Sequence, residues 1–322
     1  MLEWCAMPKP YLYFELTDTE RQSEYRNLLG QHSTSIKKAA EYLLRAMQSI
    51  SQVDDTLRAH GVVFLLARHA AEEIDAISVL VAEGCITPCK AHLRSVFEAR
   101  MGVEYILTTD SERRAMAYYV KHAFDRLRVY DTLDSNTPKG ADFQTAIQDD
   151  EIAKEVLSSL PPLDFDSMKA DLRSILQTPP FDLITAEFER MANKRRPPAW
   201  YSLFGGPQSL RALASELKLR AWYDFMYSDW SGHVHAGSGL SNVGPNTNDP
   251  TGEILSIRPL RNPEGLSTVY SFAQGLALWL GEYIAKRYLR PRDQQLLQDF
   301  YSIEIQPIYK RLQTLTVMAK WK

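Results

Sequence analysis

The stretch 93-LRSVFEARMGVEYIL-107 decides the fold class. Leu93, Val96, Phe97, Met101, Val103, Ile106 and Leu107 fall largely at three- and four-residue spacing, the period of a helix with a buried face. Arg94 and Glu98 stand among them, four residues apart. A core-type helix with an arginine and a glutamate one turn apart needs a reason for both charges.

The segment before it repeats the arrangement. In 62-VVFLLARHAAEEIDAISVLVAEG-84, one helical stripe runs through Gly61, Leu65, Arg68, Glu72, Asp75 and Val79. The next helix carries Ala91, Arg94, Glu98, Met101 and Tyr105. Both stripes contain Arg-x-x-x-Glu, with Arg first. That order opposes the helix dipole and is the weaker one for an exposed pair. Paired antiparallel helices would instead join Arg68 with Glu98 and Arg94 with Glu72, each guanidinium meeting a carboxylate with two parallel bonds. Three readings stand open: a solvated face, with Arg100 and Glu104 as a third example; a buried structural network; and a ligand-facing or catalytic set.

Helical periodicity continues along most of the chain, so the expected fold is all-α, a bundle of long antiparallel helices. A first helix is predicted from Thr17 or Thr19 to about Ile50, with a break at 30-GQHSTS-35. Asp54 and Asp55 open a second helix that ends at Gly84. Pro88 to Leu107 forms a third, and Asp110 or Ser111 to Leu133 a fourth. The expected organisation is an N-terminal segment and helix (1–53), a first part of the bundle (54–133), a helical insertion or cap (134–207) and a second part (208–322). Residues 236–265 break the helical pattern. Turn residues at 248–252 and alternation over Glu253–Arg258 predict a small hairpin there.

Composition narrows the function classes. The 322 residues carry a net charge of −3, which gives no support to a protein that coats nucleic acid by overall charge. Cys5, Cys85 and Cys89 form neither a disulfide framework nor a zinc set, and no metal or cofactor is expected. The apolar stretches are too short or interrupted to span a membrane, and no signal peptide is read at the N-terminus. A cytoplasmic protein is expected.

Chemistry-bearing residues cluster again in 223-YDFMYSDWSGHVHAGSG-239. Ser231 is followed by His233 and His235, and a histidine beside a serine and bundle arginines can act as general base or bind phosphate. The segment 26-RNLLGQH-32 matches Arg-Asn-x-x-x-x-His, the active-site pattern of helical HEPN ribonucleases, although Gly30 weakens the helix that must present it. Basic clusters at Lys194-Arg195-Arg196 and 286-KRYLRPR-292 are solvated loops or an RNA-facing rim.

Arg68 and Glu72 on one helix, 94-RSVFE-98 on the next and 231-SGHVH-235 closing a late helix together resemble a bacterial helical family, the domain-of-unknown-function family numbered 5677. The resemblance spans roughly Leu57 to His235, leaving Asp134–Pro207 unmatched. It implies a helical bundle with a polar cluster of Arg68, Glu72, Arg94, Glu98, Ser231 and His235, and implies no reaction. By fold-level analogy such proteins are similar to HEPN-type toxins and phage-defence effectors. The first expectation is a metal-independent ribonuclease in which His235 is the acid or base, Arg68 and Arg94 hold phosphate, and Glu72 and Glu98 fix the arginines. The alternatives are a nucleotide- or small-ligand-sensing module, and a structural interaction protein. RNA, a nucleotide, a second copy of the chain or a partner defence protein are the partners these readings imply, with no membrane.

Overall fold

A computed structural model describes residues 19–48, 50, 58–159, 163–192, 197–234, 239, 243–245, 255–257, 260–261 and 263–319. In chain order the helices are α1 (Thr19–Gln48), α2 (Arg58–Ala82), α3 (Cys89–Thr108), α4 (Ser111–Leu133), α5 (Pro138–Ile147), α6 (Glu151–Ser158), α7 (Phe165–Gln177), α8 (Phe181–Ala192), α9 (Leu210–Glu216), α10 (Arg220–Trp222), α11 (Ser228–Val234), α12 (Leu266–Tyr288), α13 (Pro291–Phe300) and α14 (Gln306–Ala319). The fold is all-α, with one minimal strand pair among the described residues: β1 (Val243–Pro245) pairs antiparallel with β2 (Leu255–Ile257), Gly244 opposite Ser256. The expected hairpin strand at 253–258 is thus β2. The turn residues 248–252 lie outside the described residues.

The chain divides into two compact units, the division falling inside α2 and at the start of the last turn of α3. The first contains the described residues of 1–56, 63–104 and 217–322. Its α1 runs unbroken through 30-GQHSTS-35, correcting the expected break. Two side chains there turn back onto the helix instead of interrupting it. Thr34 Oγ1 donates to the Gly30 carbonyl at 2.8 Å, and His32 Nδ1 bonds the Leu28 carbonyl at 2.8 Å. Leu29, Ile36, Ala39, Leu43 and Ala46 are buried on one face of α1, which packs along α12. Gly281 permits close approach: a Cβ there would lie 2.7 Å from Tyr42 Cδ1. Across the same interface Gln274 Nε2 donates to Ser35 Oγ at 3.0 Å, and Ser35 Oγ also bonds Tyr270 Oη at 3.1 Å.

In α2, Val63, Leu66, Ala70, Ile74, Ile77 and Val81 are buried. The helix ends in a Schellman motif. Gly84 has φ 74°, Cys85 N–H donates to the Leu80 carbonyl at 2.8 Å, and Gly84 N–H donates to the Val81 carbonyl at 3.0 Å. Only glycine adopts that φ without strain, so the chain reverses at once and α3 returns antiparallel to α2. Of the face foreseen for α3, Leu93, Val96, Phe97, Met101, Val103 and Ile106 are buried and Leu107 is half-buried.

The second unit contains the described residues of 57–62 and 105–216. Met116, Val120, Ala123 and Leu127 of α4 meet Leu176, Ile184, Phe188 and Leu203 in its core. Phe124 stacks on Phe188 at 4.4 Å. Side-chain caps start its short helices: Thr137 accepts from Gly140 N–H, Asp150 from Ala153 N–H and Asp164 from Ser167 N–H. A buried ion pair of 2.5 Å between Lys169 and Asp134 ties α7 to the end of α4. No helix among the described residues is long and apolar enough to cross a membrane.

Candidate functional site

Polar side chains of α2 and α3 form separate groups in the first unit. The first joins the two helices. His69 Nε2 lies 2.7 Å from Ser95 Oγ and 3.7 Å from Glu73 Oε1, and His92 Nδ1 lies 2.5 Å from Glu73 Oε2. One carboxylate thus sits between two imidazoles, one of which also reaches a hydroxyl. Both rings open to solvent, with side chains 48% exposed at His69 and 33% at His92, whereas Glu73 is 22% exposed. A histidine oriented by a carboxylate and accessible to water can give and take a proton.

The second group binds α3 to the segment that leads into α11. Arg94 Nε donates to Glu98 Oε1 at 2.9 Å and to the Tyr227 hydroxyl at 3.0 Å, and Nη1 donates to Ser231 Oγ at 3.3 Å. The Tyr227 hydroxyl in turn donates to Glu98 Oε1 at 2.7 Å, and Arg94 lies over its ring at 4.9 Å. Burial raises the pKa of Tyr227, and the Glu98 carboxylate that accepts its proton raises it further. A π turn at Tyr223–Tyr227 places Tyr223 and Tyr227 in a stack of 4.7 Å. One turn away, Lys90 pairs with Asp229 at 3.0 Å.

The third group stands apart from the second. Arg68 pairs with Glu72 at 2.5 Å within α2, with side chains 50% and 58% exposed. They line an open groove of about 750 Å³ together with Lys37, Lys38 and Glu41 of α1.

The expected cross-helix pairs, Arg68 with Glu98 and Arg94 with Glu72, are therefore replaced by pairs within each helix. The antiparallel register is close to the expected one. The face is one residue away, so His69 and Glu73 meet α3 where Arg68 and Glu72 were expected. The stripe through Gly61, Leu65, Arg68, Glu72, Asp75 and Val79 is the solvent face of α2, and Leu65 (62% exposed) and Val79 (55%) made it resemble a core stripe. Ser231 does join Arg94. His235 and Lys194-Arg195-Arg196 lie outside the described residues.

The Arg-Asn-x-x-x-x-His pattern does not form a site. Arg26 is exposed, while His32 is buried edge-on to Tyr270 at 4.8 Å. Six residues apart on a helix, they occupy different faces. Burial lowers the pKa of His32, partly offset by its bond to Leu28. The segment 286-KRYLRPR-292 begins on an exposed helix end, where Lys286 pairs with Glu282 at 2.6 Å. Cys89 is buried, and its thiol is pushed up to about 12 by that burial. Among the described residues no group of three or more His, Cys, Asp or Glu side chains is placed to hold a metal ion.

Residues 60–250 match the model of a family described as a family of unknown function, DUF5677. The chain belongs to this family. The DUF5677 span contains His69, Glu73, His92 and Ser95, and also Arg94, Glu98, Tyr227 and Ser231. It leaves α1 and α12 to α14 outside. No curated protein and no solved structure matches the chain.

His69, Glu73, His92 and Ser95 were missed by sequence reasoning, because it chose the wrong face of α2. At the expected antiparallel register, 69 would stand opposite 97 and 73 opposite 93; the observed contacts, 69 with 95 and 73 with 92, lie one to two residues away.

Proposed function

We propose that the α2–α3 face of this DUF5677 protein cleaves RNA by acid–base chemistry, as a cytoplasmic effector of bacterial defence. One observation supports it most: Glu73 lies between two solvent-open histidines, 2.5 Å from His92 and 3.7 Å from His69. In this reading Glu73 accepts from His92 Nδ1–H and leaves Nε2 as the base. His92 removes the proton of a 2′-hydroxyl, whose oxygen attacks the adjacent phosphorus. His69, protonated and held by Ser95, gives a proton to the leaving 5′-oxygen as the P–O5′ bond breaks. The products are a 2′,3′-cyclic phosphate and a 5′-hydroxyl; His92 is left protonated and His69 neutral, and exchange with water resets both. Arg94 keeps N–H groups free of Glu98, Tyr227 and Ser231, and these can face a phosphate oxygen. Metal-free cleavage of single-stranded RNA, lost in His92→Ala and in His69→Ala with helicity unchanged, is the test. RNA left intact over a broad panel of sequences rules the reading out.

A second reading is structural, and the bonds of Arg94 favour it. Its Nε and Nη1 donors are taken up by Glu98, Tyr227 and Ser231, so the network closes on itself and ties α3 to α11. That role and the acid–base chemistry of His69, Glu73 and His92 use different side chains and coexist, Arg94 serving both through separate N–H groups.

A further inference from the structure

Arg100 and Glu104 repeat the Arg-x-x-x-Glu spacing that a solvated face would explain, yet theirs is the most buried of the three pairs. The side chains are 11% and 9% exposed, with Arg100 Nε donating to Glu104 Oε1 at 3.0 Å. The guanidinium carbon lies over Trp279 of α12, 3.6 Å from the ring centroid. Its two terminal amino groups have no hydrogen-bond partner among the described residues, and Arg100 lines a cleft of about 400 Å³. Trp222, Trp230, Phe97 and Phe272 form the other walls, with Trp222 and Trp230 edge-on to Phe272 at 5.4 and 5.2 Å.

A cleft walled mainly by aromatic rings, with the Arg100 guanidinium and the Ser271 hydroxyl as its polar side-chain groups, has the chemistry of a small-molecule site. The walls select a flat ring. The guanidinium selects what that ring carries. Glu104 already balances the charge of Arg100, so a ligand carboxylate entering beside the pair would face a second carboxylate in a desolvated setting. Neutral acceptors in the plane of a ring meet the free edge of the guanidinium without that cost, and two adjacent acceptors match its fork, as guanine O6 and N7 do.

We infer that this cleft binds an uncharged, planar heteroaromatic ring with adjacent acceptors, of the nucleobase type. The inference does not depend on RNA cleavage: the cleft uses Phe97 and Arg100, the acid–base face uses His92 and Ser95, and either can exist without the other. The source of the base is a free nucleoside or a nucleotide of an RNA strand.

Tryptophan fluorescence, titrated in turn with guanosine, a short guanine-containing oligoribonucleotide and benzoate, tests it. Guanosine should quench saturably, and the oligoribonucleotide should bind more tightly if the source is a strand. Gly275 of α12 also lines the cleft, and a Cβ built there meets nothing within 4 Å. Gly275→Leu should fill the space, keep the fold and abolish saturable quenching. Arg100→Lys keeps the charge opposite Glu104 but loses the fork, and should weaken guanosine at least about tenfold. The inference is overturned if neither guanosine nor the oligoribonucleotide quenches saturably, if quenching persists in a folded Gly275→Leu protein, or if benzoate binds in place of guanosine.

Discussion

His92 Nδ1 lies 2.5 Å from Glu73 Oε2, joining α3 to α2 through a carboxylate that His69 also approaches. The contact orients the imidazole and leaves its outer nitrogen toward solvent. Replacing Glu73 with Gln keeps the side-chain shape and removes the charge that holds both rings. If His92 is the base, Glu73→Gln should lower kcat of RNA cleavage by about tenfold or more with little change in KM, since the carboxylate positions a group acting in the transition state. Steady-state kinetics separate the two parameters.

The Arg94–Tyr227 contact carries a stability prediction. Tyr227→Phe removes one hydroxyl that both accepts from Arg94 and donates to Glu98. Glu98 is 41% exposed, so water replaces part of what is lost, and the expected cost is about 1 kcal/mol. A double-mutant cycle of Arg94→Ala with Tyr227→Phe should return a coupling of roughly 0.5 kcal/mol or more. Urea unfolding measures both, and additive losses would show that the network does not act as a unit.

At the α1–α12 contact the prediction is steric. A Cβ on residue 281 would lie 2.7 and 2.8 Å from ring atoms of Tyr42, and 3.4 Å from Leu43 Cα. Tyr42 is buried and cannot swing away freely. Gly281→Ala gains helix propensity yet should still destabilise, by about 1–3 kcal/mol from overpacking. A lower melting temperature checks the sign.

His32 sets part of the pH response. Its pKa in the folded protein is lowered from 6.5, chiefly by burial. As pH falls below 6.5 the unfolded chain takes up the proton first, so stability declines until the lower folded value is passed. Above 6.5 the histidine contributes no slope. His122 and His233 are lowered in the same direction, so His32→Gln should reduce the acid-side slope rather than abolish it. Urea midpoints measured from pH 7 downward test this, and an unchanged slope would remove His32 from the account.

The fold was largely legible because helix period, caps and breakers are local signals. Gly84 with Cys85 marks the end of α2, Ser111 opens α4, and the apolar stripe of α3 is the one that is buried. Which face of α2 meets α3 was not legible. Exposed Leu65 and Val79 counted as core residues, and a shift of one position turns a helix by about 100°. The site moved with it, from Arg68 and Glu72 to His69 and Glu73. Arg100 and Glu104 failed for a related reason: spacing alone does not separate a solvated pair from a buried one, and Trp279, which covers Arg100, lies far along the chain in α12. The continuity of α1 through Gly30 depended on its packing against α12, a tertiary effect that outweighs propensity.

The most direct test of the central claim is the rate at which the purified protein cleaves single-stranded RNA in EDTA, compared with folded His92→Ala. Cleavage that leaves 2′,3′-cyclic phosphate ends is expected, slowing by about 10²- to 10⁴-fold in the variant. Intact RNA with the unmodified protein, or equal rates for the two, would contradict it.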